Sequence, residues 1–316
     1  MRPSRREFIA GALASGMAGV THGDEPVKLS SVSSAFTLDR QTAVLAHPGI
    51  QRPVRFTVVT DSHFTLLDER DGEFRENVRR ACQWPGMEKD LDSALEAARK
   101  WGSEVVMLTG DILSFPSFAN VEFIARKMKA CGLKWVYIAG NHDWHFEGLP
   151  GSDDEHRSEW IRRLTPLYQK RDPFVSSYVF GGVRFVSLDN STYHITKDQL
   201  DFFRAELASG DPICLFMHIP FFMPLRPSLY TLGNPTWGAA TDNYWEIERR
   251  QRWSESGQGQ EAFELRRLAF SSANLVGVFA GHEHFLQIGS ENGVPQFIVP
   301  KNHDSGAYMN VELRAM

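Results

Sequence analysis

The chain has little of what marks several protein classes. It contains three cysteines among 316 residues, Cys82, Cys131 and Cys214, and they form no Cys-x-x-Cys spacing. A scattered, odd set of this kind argues against a disulfide framework and against a zinc–thiolate site. The net charge is −5, and beyond the first residues there is no block rich in lysine or arginine. We therefore expect no surface for non-specific attraction of nucleic acid.

Long apolar runs are also missing. The mild apolar stretch 8–20 is too short and too rich in glycine and alanine to span a membrane. It follows the pair Arg5-Arg6, and a basic start before a short apolar middle is typical of a secretory signal. The paired arginines resemble the twin-arginine export signal. We expect 1–23 to be a signal peptide and the mature protein to be exported, periplasmic or extracytoplasmic, without a transmembrane segment. A frayed N-terminal helix is the alternative.

The rest of the chain alternates between strand-like and helix-like segments. Residues 24–53 are polar and weakly patterned, so they are predicted to be a linker or an edge element. Helical spacing follows at 87–101, at 121–131 and, after a capping box, at 200–207. Between them lie short apolar runs, and Gly181-Gly182 indicates a hairpin. This alternation predicts an α/β fold with helices on the sheet faces, in a mixed sheet or a two-sheet sandwich.

One region interrupts this alternation. Residues 220–270 are rich in aromatic residues and turn formers, and a loop of such length is often a lid or a binding element. Packing over the sheet edge would explain its aromatic content. The alternative is that Trp237, Tyr244 or Trp245 stacks on part of a substrate.

Five predicted strands are each followed at once by residues that can bind a metal. The strands are 54–60, 105–109, 135–139, 213–217 and 275–280. One edge of a sheet would gather these side chains, where open α/β sheets bind ligands. Carboxylate, amide and imidazole groups suit hard and borderline cations. The seven candidates exceed one tetrahedral site and suit two ions that share a ligand: Asp61, His63, Asp111, Asn141, His218, His282 and His284.

The full set of motifs resembles a known family. Asp61-x-His63, Gly110-Asp111, Gly140-Asn141-His142-Asp143, His218 and Gly281-His282-x-His284 together look like the motifs of the calcineurin-like metallophosphoesterases. The resemblance covers 54–316 and implies a four-layer αββα sandwich of two mixed β-sheets flanked by helices. It implies that Asp61, His63, Asp111 and His284 hold one ion, and that Asp111, Asn141, His218 and His282 hold the other.

The resemblance also implies a reaction. Two ions about 3.5–4 Å apart would hold a hydroxide for in-line attack on a phosphate mono- or diester. His142 would stand close to the leaving oxygen, with Asp143 as a catalytic-site residue that orients a neighbour. The substrate is expected to be a small phosphorylated molecule. The ions could be Mn, Fe or Zn.

The motifs also argue against two branches of this family. In some phosphoprotein phosphatases, the Gly-Asp pair of the second motif is followed by a second aspartate and an arginine. This chain has neither residue after Gly110-Asp111. His63 in the first motif does not fit the purple acid phosphatase pattern.

His194 and His303 follow predicted strands at some distance and are candidate substrate contacts, as are the insert's aromatic residues. The alternative function is a catalytically silent member of the fold that serves as a binding or scaffold protein. No feature of the sequence indicates the oligomeric state.

Overall fold

The computed structural model describes residues 34–39, 41–79, 84–224, 230–237, 246–247, 251–252 and 258–316. The predicted signal peptide lies outside these residues, so the exported location stays a prediction. Tyr244, Trp245 and Cys82 lie outside them as well. Cys131 and Cys214 are both free and buried. Among the described helices, none combines the length and the apolar character that crossing a bilayer requires.

Strands and helices alternate along most of the chain. The strands are β1 (Ala35–Asp39), β2 (Thr42–Ala46), β3 (Val54–Val59), β4 (Val105–Thr109), β5 (Trp135–Ile138), β6 (Val175–Phe180), β7 (Val183–Leu188), β8 (Ile213–Phe216), β9 (Glu246–Ile247), β10 (Gln251–Arg252), β11 (Leu275–Ala280), β12 (Gln287–Glu291), β13 (Val294–Ile298) and β14 (Met309–Arg314). The α-helices are α1 (Arg75–Val78), α2 (Met87–Trp101), α3 (Phe118–Ala130), α4 (Asp153–Trp160), α5 (Thr165–Tyr168), α6 (Lys197–Ala208) and α7 (Gln260–Ser271). Two 3₁₀ helices cover Glu69–Phe74 and Ile161–Leu164.

Two six-stranded mixed sheets form the centre of the fold. The first has the order β1-β2-β14-β3-β4-β5, and the second has the order β12-β13-β11-β8-β7-β6. In the first sheet β3, β4 and β5 run parallel, so their carboxyl ends share one edge. The second sheet also contains parallel strands whose carboxyl ends share one edge, namely β7, β8, β11 and β13. Residues 24–53, which were predicted to be a linker or an edge element, contribute the strands β1 and β2.

Helices cover the outer faces of both sheets. Apolar residues of α2 and α3, among them Leu91, Leu95 and Ile124, pack in one buried cluster with residues of β4. Residues of α6 and α7, such as Phe203 and Leu265, pack in another with β8 and β11. The result is the four-layer αββα arrangement that the motifs implied.

The observed helix ends follow the local sequence. Helix α2 ends at Gly102, which has a φ of 75°. Helix α6 begins with the predicted capping box between Thr196 and Gln199. Helix α3 starts earlier than its predicted first residue, 121, because the Ser117 side chain caps it by accepting from Asn120 N. The last part of the predicted insert is helix α7, whose apolar side chains belong to the core.

A third apolar cluster fills the space between the two sheets. Its centre is Phe56 of β3, which is fully buried. Its ring meets Phe185, Phe216 and Phe279 of the second sheet edge-to-face, with centroids 4.9, 5.6 and 5.2 Å away. Aromatic rings favour this arrangement because their edges are electropositive and their faces electronegative. The contact fixes the distance between the sheets and therefore between their loops.

The Phe56→Ala change tests this contact. We expect it to lower the free energy of unfolding by about 3–5 kcal/mol, because it removes buried apolar area and leaves a cavity. Urea denaturation monitored by circular dichroism measures the change. Phe285→Ala is the matched control, since its side chain is 51% exposed, and it should change the free energy by less than about 0.5 kcal/mol. Equal effects of the two variants would contradict the central role of Phe56.

Candidate metal centre

The loops after five strands bring the predicted ligands to one edge of the sandwich. Asp61 and His63 follow β3, Asp111 follows β4, Asn141 follows β5, His218 follows β8, and His282 and His284 follow β11. Five of these seven residues have positive φ: Asp61, His63, Asp111, His282 and His284, with values between 49° and 71°. Side chains with a Cβ rarely adopt this conformation, and functional sites are where it concentrates. The strand ends therefore hold their ligands under local strain.

Two glycines allow the loops to approach each other closely. A Cβ on Gly140 would lie 2.2 Å from Asp111 Oδ1, and one on Gly110 would lie 2.4 Å from His218 Nδ1. Neither contact leaves room for a carbon atom. Glycine before Asp111 and before Asn141 is thus a steric requirement of the site.

The first group of donors comprises Asp61, His63 and His284, whose ligand atoms lie within 4.8 Å of one another. Asp61 Oδ2 accepts hydrogen bonds from Thr60 Oγ1 at 2.8 Å and from His282 N at 3.0 Å. Its other oxygen, Oδ1, lies 3.3 Å from His284 Nε2 and 3.9 Å from His63 Nε2. One carboxylate oxygen is therefore anchored by the protein, and the other faces the two imidazoles.

The second group comprises Asp111, His218 and His282, which meet the same distance limit. His218 Nδ1 lies 2.9 Å from the carbonyl oxygen of Thr109, so Nδ1 carries the proton and Nε2 is left to bind. Asp111 Oδ2 lies 3.1 Å from that Nε2. The same oxygen is 3.9 Å from His63 Nε2 in the first group. Asp111 Oδ2 thus faces both groups, as a bridging ligand must.

Buried atoms without partners show that the site suits cations. Among the described residues, nothing donates a well-aligned hydrogen bond to Asp61 Oδ1 or to Asn141 Oδ1, and none is made by His218 Nε2. Native proteins rarely leave buried polar atoms unsatisfied. All three are oxygen or imidazole donors, which suit Mn, Fe or Zn ions. The residues present therefore fit a pair of such ions.

Burial and neighbouring charges set the protonation of the donors. Burial lowers the pKa of His63 and of His282 to about 3, so both are neutral and keep a lone pair for binding. Burial also opposes protonation of His218, but the Asp111 carboxylate outweighs it and raises the pKa of His218 to about 9. Burial alone would raise the carboxyl pKa of Asp111. The neighbouring His218 and His142 outweigh this effect and hold the pKa well below its usual range.

Asp143 connects the loop after β4 with the loop after β5 through hydrogen bonds. Its Oδ2 accepts hydrogen bonds from Asp111 N at 2.8 Å and Gly140 N at 2.6 Å, and its Oδ1 accepts one from Leu113 N at 2.7 Å. The residue is fully buried. Burial and the Asp111 carboxylate raise the pKa of Asp143 to about 7. These hydrogen bonds fix the backbone positions of Asp111, Leu113 and Gly140 relative to one another.

The predicted substrate contacts lie at different places. The His303 ring is 5.2 Å from that of His63 and 5.5 Å from that of His284, at the border of the first group. Trp237 packs on Tyr193, with ring centroids 4.6 Å apart. Burial lowers the pKa of His194, and the residue belongs to neither donor group.

Two residues outside the motifs support the predicted ligands. Asn190 Oδ1 accepts from the backbone N–H groups of His218 and Ile219, and so fixes the His218 loop. Its position directly after β7 was a usable signal. Tyr193 Oη lies 2.5 Å from His282 Nε2, and nothing in the sequence pattern pointed to it.

A family model matches most of the chain. The family model of the calcineurin-like phosphoesterases matches residues 54–286. No curated protein matches the chain significantly.

Two solved structures are similar in fold. A dimetal phosphatase from Danio rerio is 13% identical, with a TM-score of 0.52 over 82% of this chain and 92% of that one. A purple acid phosphatase from yellow lupin (Lupinus luteus) seeds is 14% identical, with a TM-score of 0.50 over 84% of this chain and 47% of that one. At these identities the likeness shows a shared fold.

Metal binding should release a proton from His218. Without metal, a pKa of about 9 keeps this imidazole protonated at pH 7, whereas a metal needs its Nε2 lone pair. The apparent affinity should therefore rise as the pH increases toward 9 and then level off. Calorimetric titration with Zn²⁺ in buffers of different ionisation enthalpy counts the protons released.

The control for this measurement is His218→Gln, which should release about one proton fewer than the unchanged chain. His63 and His282 should add nothing, because both are already neutral at pH 7. A proton count that is the same in both proteins would contradict the assignment to His218.

Proposed function

Because the chain belongs to the calcineurin-like phosphoesterase family, we propose that it hydrolyses small phosphate mono- or diesters with two metal ions. One observation supports the proposal above all others. A single oxygen of Asp111 faces His218 on one side and His63 on the other, and each of these histidines belongs to a separate group of donors. A single-ion site has no need of that arrangement.

We assign the ligands of each ion from the two donor groups and, for Asn141, from the family motifs. The first ion would take Asp61, His63, Asp111 and His284, and the second would take Asp111, Asn141, His218 and His282. When bound, the pair would supply a nucleophilic hydroxide at neutral pH and neutralise charge on the phosphate oxygens. The chain's part is to hold these donors in place, which it does with Asp143, Asn190 and the strained strand ends.

His142 is the residue that would handle the leaving group. Its backbone N–H donates to Asp111 Oδ1 at 2.9 Å, which fixes the residue beside the shared ligand. Its ring lies 4.7 Å from the His63 ring, and the residue is only partly buried. An imidazole at this place can give a proton to a departing alkoxide.

The rim of the first group offers positive charge to a phosphorylated substrate. Lys301 Nζ lies 3.4 Å from His303 Nε2 and 2.8 Å from Asp304 Oδ2. The side chain of His284 is 41% exposed, so this part of the site is open to solvent. A negatively charged ester can therefore reach the donors from the side of Lys301 and His303.

Hydrolysis of model esters tests the proposed function. The chain loaded with Mn²⁺, or with Fe and Zn, should cleave p-nitrophenyl phosphate, bis-p-nitrophenyl phosphate or both. Asp111→Ala should lose both metal content and turnover, because it removes a ligand from each ion. Asp153→Ala is the matched control, since Asp153 is also a buried acid but belongs to neither donor group. No turnover by a chain verified to hold two ions would favour the binding or scaffold alternative.

His142→Ala should separate proton transfer from metal binding. We expect metal content near two ions per chain and a fall in turnover of about 10²–10⁴-fold for esters with poor leaving groups. Esters with good leaving groups should lose much less, because they depart without a proton. The measurement is kcat across a series of phenyl phosphates of graded leaving-group pKa.

His47→Ala serves as the control for this series. Its ring hydrogen-bonds the carbonyl oxygen of Ala273, and it follows β2 at the opposite edge of the sheet. An equal loss for all leaving groups in His142→Ala would contradict the general-acid role.

A further inference from the structure

Tyr193 occupies an unusual position beside the metal centre. It lies in the loop between β7 and α6, outside every motif identified in the sequence. The residue is 2% exposed, and its backbone has a φ of 58°, a conformation that bulky residues seldom adopt. Its backbone N–H donates to the carbonyl oxygen of Asn190, the residue that also holds the His218 loop. The fold thus places a phenol here at the expense of local strain.

The phenol of Tyr193 contacts one candidate ligand directly. Its Oη lies 2.5 Å from His282 Nε2, and the two ring centroids are 5.7 Å apart at 75°. On the other side of Tyr193, the Trp237 ring packs with a centroid distance of 4.6 Å, and Trp237 is 4% exposed. The hydrogen bond is therefore shielded from solvent, and the phenol has no room to turn away.

This contact decides which nitrogen of His282 is left for a metal. A neutral imidazole has one N–H donor and one nitrogen with a lone pair. With Nε2 engaged by the phenol, Nδ1 is the remaining nitrogen, and the tautomer that frees its lone pair carries the proton on Nε2. That Nε2–H then donates to Tyr193 Oη. Metal-binding histidines usually donate their second N–H in this way, which fixes the ring and its tautomer.

We propose that Tyr193 is a positioning residue that fixes the orientation and tautomer of His282 and thereby raises the affinity for the second ion. This inference rests on the proposed function, because it requires the two-ion centre. It adds a residue from the β7–α6 loop, which the family motifs do not contain. Through Trp237, it also joins the described part of the predicted insert to the metal centre.

Calorimetric titration of the full chain with Zn²⁺ alone tests the proposal. The variant Asn141→Ala first identifies which binding event belongs to the second ion, since it removes a ligand of that ion only. Tyr193→Phe, which keeps the ring and loses the hydroxyl, should then weaken the same event by about 10–100-fold. The other event should stay within about twofold of the unchanged chain.

The matched control is Tyr168→Phe. This change also removes one buried phenolic hydroxyl, but Tyr168 Oη makes no hydrogen bond to any residue that the structure describes. Both events should keep their affinities in this variant. Thermal melting of the apo proteins verifies that each variant is folded.

Three results would overturn the proposal. The first is an unchanged second event in Tyr193→Phe, and the second is an equal loss of both events. The third is a phenolate-to-iron charge-transfer band in the Fe³⁺-loaded unchanged chain, which would make Tyr193 a direct ligand. This third measurement needs no variant.

Failure of the proposed function would look different. Either the unchanged chain would bind fewer than two ions, so that the ion that Tyr193 is proposed to serve would not exist, or it would bind both ions and hydrolyse none of the model esters. Two tight events in the unchanged chain, with none altered in Tyr193→Phe, would leave the phosphoesterase proposal standing and remove the role of Tyr193 alone.

Discussion

The site depends on the contact between the Asp111 carboxylate and imidazoles from both halves of the fold. Asp111 comes from the first sheet, His218 comes from the second, and a distance of 3.1 Å joins them. Such closeness requires the two sheets to be held in a fixed relation. The aromatic cluster around Phe56 does so, because the ring of one sheet is enclosed by three rings of the other. The apolar interior and the polar edge are thus parts of one constraint.

The local conformations of the predicted ligands are costly to the fold. Five predicted ligands adopt strained backbone conformations, and several buried donor atoms lack hydrogen bonds. Each such feature destabilises the folded chain by about 1–3 kcal/mol. The large buried core is what allows these losses to be tolerated.

Much of the fold and of the site could be predicted from the sequence. Strand ends could be located because a short apolar run stops at a polar residue, and parallel strands gather those residues at one edge. The full set of motifs, in their order along the chain, then indicated the family and its four-layer fold. What failed was whatever depended on contacts between distant segments. Strand β14 was not predicted, because its pairing with β2 and β3 joins segments that lie far apart in the sequence.

The role of Tyr193 was equally invisible. Its contact with His282 arises only when the β7–α6 loop folds over the end of β11, so no local spacing could have revealed it. By contrast, the place of Asp143 beside His142 was enough to predict an orienting role, and its carboxylate accepts hydrogen bonds from Asp111 N and Gly140 N. The place of β14 has a further effect. It lies between β2 and β3, yet it is the last described strand to leave the ribosome. Because β14 separates β2 from β3, the first sheet can be completed only after this strand has been synthesised.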